Sequence, residues 1–211
     1  MGNPSFSLPA LEKVIESNHE LISVVSNPPK KMGRGKYFNY TAVGEYAKRN
    51  NISLIHPKSL DSKIFLEQLK ALEPDLFVVV AYKILPKSLI EIPLYGSVNL
   101  HASLLPKYRG AGPIQWALMN GDTSTGVTIF QIKPDVDTGD ILLQKKIGIK
   151  KEDNMLSLGM RLCTEGAKLL MTVIDKIENN DINRIPQKKI GITLAPKITK
   201  AMTFINWSWS A

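Results

Sequence analysis

At 211 residues the chain can hold one sizeable domain, or one with a short appendage. A hydrophobic share of 44% beside 22% charged residues is ordinary for a globular chain, and the most apolar run, Leu76 to Ala81, is only strand-sized, which excludes a membrane-spanning helix. Cys163 is the single cysteine, so an internal disulfide and a multi-cysteine metal site are excluded too. It lies in a helical pattern and is read as a buried thiol. The amino terminus has no basic segment leading into an apolar stretch, so the cytoplasm is expected. A net charge of +8 suits an anionic partner, nucleic acid included, although many basic proteins bind none.

In chain order, Met1 to Phe6 reads as a loop, and Leu8, Leu11, Val14 and Ile15 mark Leu8 to Ser17 as a helix with one apolar face. After a turn at Asn18 and His19, Leu21 to Val25 is expected as a strand. A doubly wound domain normally begins with a strand, so this opening is unusual. Asn27 to Tyr40 is expected as a loop with Lys30, Lys31, Arg34 and Lys36, two glycines and aromatics close behind. It is either a solvated connection or an arm whose Lys and Arg neutralise phosphates.

Helices are expected over Thr41 to Asn50, Ser62 to Ala71, Lys87 to Ile90 and Pro113 to Met119. Strands are expected over Ser53 to His56, Leu76 to Ala81, Ser97 to His101, Gly126 to Ile132 and Ile141 to Ile149. A long helix runs from Asp153, its expected cap, to Glu178. Helices alternating with short strands, one of them continuously apolar, predict an α/β fold with a parallel sheet. His19 and His56 sit at element ends and are read as incidental. The tail from Asn179 is basic and ends in Trp207-Ser208-Trp209.

The chemistry concentrates in Asn99-Leu-His-Ala-Ser-Leu-Leu-Pro-Lys-Tyr-Arg-Gly-Ala-Gly112. Asn99 and His101 are two apart, so on an extended strand both side chains leave one face. An amide donor beside an imidazole, at the carboxyl end of a strand, suits acyl-type transfer: the amide holds an oxyanion while the imidazole moves or steadies a proton. A hydrogen-bonded turn is the plainer alternative. Asp135, Asp137 and Asp140 flank a glycine turn whose spacing is not that of a calcium loop. If Asp137 meets His101, its carboxylate orients the ring. Tyr82 to Pro86 follows the apolar strand, where open α/β sheets place ligands.

Asn99 to Pro106, followed by Tyr108-Arg-Gly-Ala-Gly-Pro-Ile-Gln115, resembles the signature of the folate-dependent formyltransferases; Gly126-Val-Thr128 and Asp137-Thr-Gly-Asp140 continue it in order. Within that superfamily the chain most resembles the methionyl-tRNA formyltransferases. Gly33-Arg-Gly-Lys36 is similar to their tRNA-directed loop, Met1 to Phe6 to their early Gly-x-Pro-x-Phe turn, and Ala195 to Trp207 to the end of their catalytic domain. The resemblance implies a Rossmann-like, open, mostly parallel sheet with helices on both faces. It implies 10-formyltetrahydrofolate as co-substrate, with no metal, and initiator methionyl-tRNA as partner of a bacterial or organellar cytoplasmic enzyme, expected as a monomer. Asn99, His101 and Asp137 become the catalytic trio. Ser103, Leu104, Leu105, Pro106, Ile84 and Leu85 become folate contacts, and Arg34 with Lys30, Lys31 and Lys36 become tRNA contacts.

Three departures accompany the resemblance. The family has a central strand ahead of its Gly-x-Pro-x-Phe turn, so the catalytic domain, residues 1–178, reads as incomplete at its amino end, with exposed apolar edges expected. Residues 179–211 read as domain end and linker to a carboxyl-terminal barrel, and the chain as a fragment or mis-started product. Tyr82-Lys-Ile-Leu-Pro86 is one residue shorter than the common form. The alternatives are a formyltransferase acting on glycinamide ribonucleotide or an amino sugar nucleotide, and a non-catalytic RNA-binding remnant.

Overall fold

The computed structural model describes residues 1–32, 37–205 and 207–208. A 3-10 turn at Ser5–Ser7 leads into α1 (Leu8–Ile15), followed by β1 (Val24–Val25), β2 (Lys30–Met32), β3 (Tyr37–Asn39), α2 (Ala42–Arg49), β4 (Leu54–Ile55) and α3 (Lys63–Lys70). Then come β5 (Phe77–Val80), α4 (Lys87–Ile90), β6 (Ser97–His101), α5 (Pro113–Met119), β7 (Ser124–Gln131), β8 (Ile141–Gly148) and α6 (Met155–Glu178). Threonine and serine hydroxyls start two of the helices: Thr41 accepts from the Gly44 amide at 3.0 Å and Ser62 from the Phe65 amide at 3.3 Å. Among the described residues no helix is long and apolar enough to cross a membrane.

Side-chain alternation along β5 and β6 builds the layers. Val80, Val98 and Leu100 point one way, into a core with Ala10 of α1 and Leu170, Val173 and Ile174 of α6. Phe77 and Val79 point the other way, against Phe65 and Leu69 of α3 and Leu89 of α4. Helices therefore cover both faces, and each buried leucine or isoleucine stabilises the sandwich by about 1.5–3 kcal/mol.

Strand pairing divides at β6. β1 pairs with β4 and β5 with β6 in parallel, whereas β6–β7 and β7–β8 are antiparallel. Met1 and Gly2 lie between β1 and β5. The Gly2 amide donates to Val25 O at 3.1 Å, the Val80 amide to Met1 O at 2.9 Å, and the Met1 amino group to Val78 O at 2.6 Å. Burial pushes that amino group down to about 5. Asn3 accepts from the hydroxyl of Ser26 and the amide of Asn27, in step with the Gly2–Val25 contact, so β1 runs in the same direction as β5 and β6. Below Met1, β1 and β5 are separated by a cavity of about 490 Å³, whose walls include Ala10, Val14, Ile22, Val24 and Val78.

Local differences from the sequence reading have local causes. The strand expected over Leu21 to Val25 pairs only at Val24 and Val25. The segment expected as a loop contains an antiparallel ribbon of β2 and β3, with Lys30 opposite Asn39 and Lys31 opposite Phe38. Asn154, not Asp153, caps α6: its side chain accepts from the amides of Leu156 and Ser157, and Ser157 Oγ accepts in return from the Asn154 amide. Asp153 instead binds the Lys150 amide, the Ser157 hydroxyl and Arg161. His19 is not isolated, because α6 brings Asp175 to within 2.9 Å of its Nε2.

Candidate active site

The face of β6 opposite the α6 core carries Ser97, Asn99 and His101. Asn99 is half-buried, and its amide has no partner among the described residues. His101 is buried, its ring edge-on to Phe130 at 6.4 Å between centroids. Its Nε2 lies 2.8 Å from Tyr108 O. A carbonyl only accepts, so Nε2 carries the proton and Nδ1 is the nitrogen left for chemistry. Nδ1 faces Asp137 Oδ2 at 3.7 Å. Of the trio named from sequence, His101 and Asp137 therefore meet, brought together by the turn between β7 and β8, and Asn99 leaves the same strand face as His101.

Tyr108 is locked so that its carbonyl meets the imidazole. Its φ is +60°, its amide donates to Thr193 Oγ1 at 2.8 Å, and its hydroxyl donates to Asp122 at 2.8 Å while accepting from Asn120. Burial is the main cause that raises its phenol above the ordinary value. Gly110 follows, with φ +122°, a conformation that side chains disfavour. A Cβ there would stand 2.7 Å from Ala195 O. The bare backbone instead lets the Gly110 amide donate to Asp137 Oδ2 at 2.7 Å. Gly139 closes the acidic turn against Gln131, where a Cβ would fall 1.6 Å from its carbonyl oxygen.

The loop after His101 is held by one hydroxyl. Thr128, on β7 opposite His101, donates to Ser103 O at 2.6 Å and accepts from the Leu105 amide at 3.2 Å and Gln144 Nε2 at 2.8 Å. Ser103 and Leu105 are buried, and Ser103 Oγ donates to Lys107 O, so both side chains serve the protein's own packing. Leu104 and Pro106 are half-buried. Ile84 is exposed and Leu85 buried, in the segment leaving β5 beside β6. Lys30 and Lys31 are exposed on β2, and Lys31 Nζ stands over the Phe38 ring at 5.3 Å. Arg34 and Lys36 lie outside the described residues.

Sequence reasoning missed what the tail does. Ile185 pairs with Ile141, the Arg109 amide donates to Thr193 O, the Gly112 amide donates to Ala195 O, and Trp116 Nε1 donates to Pro196 O. Residues 185–196 thus cross both site loops.

The family model described as Formyl transferase matches residues 1–174. The methionyl-tRNA formyltransferase of Alkaliphilus oremlandii is 44% identical over 212 residues, covering 100% of this chain and 68% of its own length. That of Thermodesulfovibrio yellowstonii is 45% identical over 211 residues with the same coverage. The chain belongs to the methionyl-tRNA formyltransferase family of formyl transferases. Solved structures of formyl transferases share its fold. The sugar 3N-formyl transferase WlaRD, solved in the presence of dTDP and 5-N-formyl-THF, superposes with a TM-score of 0.70 at 22% identity over 93% of this chain and 68% of that one. Glycinamide ribonucleotide transformylase 1 of Symbiobacterium toebii gives 0.71 at 19% identity over 88% and 91%. The Rossmann-like reading of the fold is borne out by these formyl transferases, with the antiparallel β7 and β8 completing the sheet beside β6.

Proposed function

We propose that this chain transfers the formyl group of 10-formyltetrahydrofolate to the α-amino group of initiator methionyl-tRNA in the cytoplasm, using Asn99, His101 and Asp137. One observation carries the reading: His101 has Nε2 pinned to a backbone carbonyl and Nδ1 open toward Asp137, one strand step from the uncommitted Asn99 amide. The methionyl nitrogen attacks the formyl carbon, and the carbonyl electron pair moves onto oxygen. The Asn99 amide and a proton on His101 Nδ1 stabilise that oxyanion in a site of low solvent content. Asp137, oriented by the Gly110 amide, steadies that proton and helps relay the one lost by the amine. Reforming the carbonyl breaks the bond to the folate nitrogen, which takes up a proton and leaves as tetrahydrofolate.

The 103–106 loop and residues 84–85 flank this strand end and form the folate side, with Ile84 and Leu85 offering backbone groups to the pterin, while Ser103 and Leu105, buried and bonded through their backbone to Thr128, fix the shape of the loop. Leu104, Pro106 and Ile84 supply side-chain surface. The β2–β3 ribbon leaves β1 at the carboxyl end shared with β6, which supports Lys30 and Lys31 as tRNA contacts; Arg34 and Lys36, outside the described residues, join them on the family resemblance alone. Residues 1–178 form the catalytic domain, and residues 185–196 complete it. Retention of the whole trio favours an enzyme over an RNA-binding remnant.

The test is transfer of labelled formyl from 10-formyltetrahydrofolate to methionyl-tRNA. His101→Ala is expected to lower the rate by about 10²–10⁴-fold and Asn99→Leu by about 10²–10³-fold. Equal rates in the variants would remove both residues from the chemistry.

A further inference from the structure

We propose that Gln187, in the tail after α6, is a positioning residue that holds the Asp137 carboxylate against His101. The inference rests on the role given above to Asp137.

Every hydrogen-bonding group of the Gln187 amide is used. Nε2 donates to Asp137 O and to Gly139 O, both at 2.8 Å. Oε1 accepts from Arg109 Nε at 3.1 Å and Arg109 Nη2 at 2.6 Å. Two carbonyls on one side and a guanidinium fork on the other also fix which way the amide faces. Gln187 is half-buried among neighbours on both sides that are exposed, so its burial is specific to this contact.

The contacts close a ring through the site. His101 Nε2 meets Tyr108 O, the next residue Arg109 grips Gln187, Gln187 grips the Asp137 turn, and Asp137 Oδ2 faces His101 Nδ1. Asp137 has φ +52°, a conformation a non-glycine residue holds only when its surroundings impose it. The base of the turn is pinned by Gly139 against Gln131, and by the Gln131 amide donating to Asp140 O at 2.9 Å. At the tip, the donor to the Asp137 carbonyl among the described residues is Gln187. A residue 50 positions away in sequence thus sets where the carboxylate stands.

Gln187→Glu separates the two sides of the amide. A glutamate keeps or strengthens the contact with Arg109 but presents oxygen to two carbonyls, which repels the turn. Gln187→Met keeps the length and loses both contacts without adding charge. The direct readout is exchange of the Gly110 amide, which Asp137 Oδ2 protects, followed by NMR with the Leu170 amide of α6 as control. Both variants are expected to speed Gly110 exchange about tenfold and leave Leu170 unchanged. In formyl transfer, kcat is expected to fall about tenfold or more with KM for folate and tRNA within about twofold. Added to Asp137→Asn, Gln187→Glu is expected to cause no further loss, because it acts through Asp137.

Unchanged Gly110 exchange in both variants would overturn the proposal. So would unchanged kcat, or losses that multiply with Asp137→Asn. Should Gln187→Glu raise exchange everywhere, Gln187→Met decides. Should the parent chain transfer no formyl group, the functional reading fails while Gly110 exchange still judges the clamp.

Discussion

At the residue scale, Tyr82 and Gly110 are the positions where small chemical changes have sharp consequences. The Tyr82 hydroxyl is buried without a partner among the described residues, and burial raises its pKa from 10.0 to about 12. A folded-state pKa above the unfolded value means the proton is held more tightly in the folded chain. The associated stability is present below pH 10 and lost as pH rises toward 12. Tyr82→Phe is expected to flatten that alkaline loss in urea unfolding at pH 10 to 12. At neutral pH it is expected to be neutral or stabilising, since it deletes an unsatisfied polar group. Gly110→Ala combines a forbidden φ with contact at 2.7 Å against Ala195 O. It is expected to destabilise by on the order of 2 kcal/mol and to displace Asp137, read by unfolding and by formyl transfer together. Asn99 and His101 were legible because strand period alone puts them on one face. The meeting of His101 with Asp137 was not: it depends on a turn stabilised by two glycine approaches and a glutamine from the tail, none of which has a periodic signature.

At the element scale, the ends of α6 show how close a sequence reading can come and where it stops. Asp153 and Asn154 are both good caps by residue type, and only the backbone decides between them. Asn154 adopts the extended conformation a cap needs, with φ −120°, and Ser157 completes the reciprocal pair. Asn154→Ala is expected to destabilise by about 1 kcal/mol and lower the thermal midpoint by about 2–4 °C. Asp153 has a different task. The Lys150 amide, with Ser157 and Arg161 in support, holds its carboxyl below the usual value of 3.8. That contribution is present above pH 3.8 and lost as pH falls below it, so Asp153→Asn is expected to soften acid unfolding in that range. The tail was illegible for a related reason. Its residues are mostly exposed, and its isoleucines and leucine follow neither a strand nor a helix period across the basic run, so no apolar pattern announces that it closes onto the site loops. The β2–β3 ribbon hid behind its lysines in the same way.

At the scale of the whole molecule, among the described residues the sheet is continuous only through Met1 and Gly2, which join β1 to the β5–β8 sheet by backbone hydrogen bonds. On the amino side of that junction, β1 and β5 are separated by the cavity of about 490 Å³, and the opposing walls are largely apolar. Strand spacing is about 4.8 Å, so a gap between two edges that are each hydrogen-bonded to the same dipeptide is one strand wide. The Met1 amino group, buried against Val78 O with its pKa down at about 5, is a chargeable group set where a neutral peptide N–H could make the same hydrogen bond without the cost of desolvating a charge. An extended segment of alternating valine and isoleucine joined ahead of Met1 is therefore expected to insert parallel to both edges. It would replace the amino group with a peptide amide and fill the cavity. Burial of even three such side chains stabilises by about 5 kcal/mol or more, enough to raise the thermal midpoint by on the order of 10 °C. Calorimetry of the extended and parent chains checks the first consequence. Binding of an apolar dye checks the second, because filling the gap removes the surface that would take it up. A serine–glycine extension of equal length is expected to do neither, and an equal gain from it would show that the two strand edges do not form a strand site.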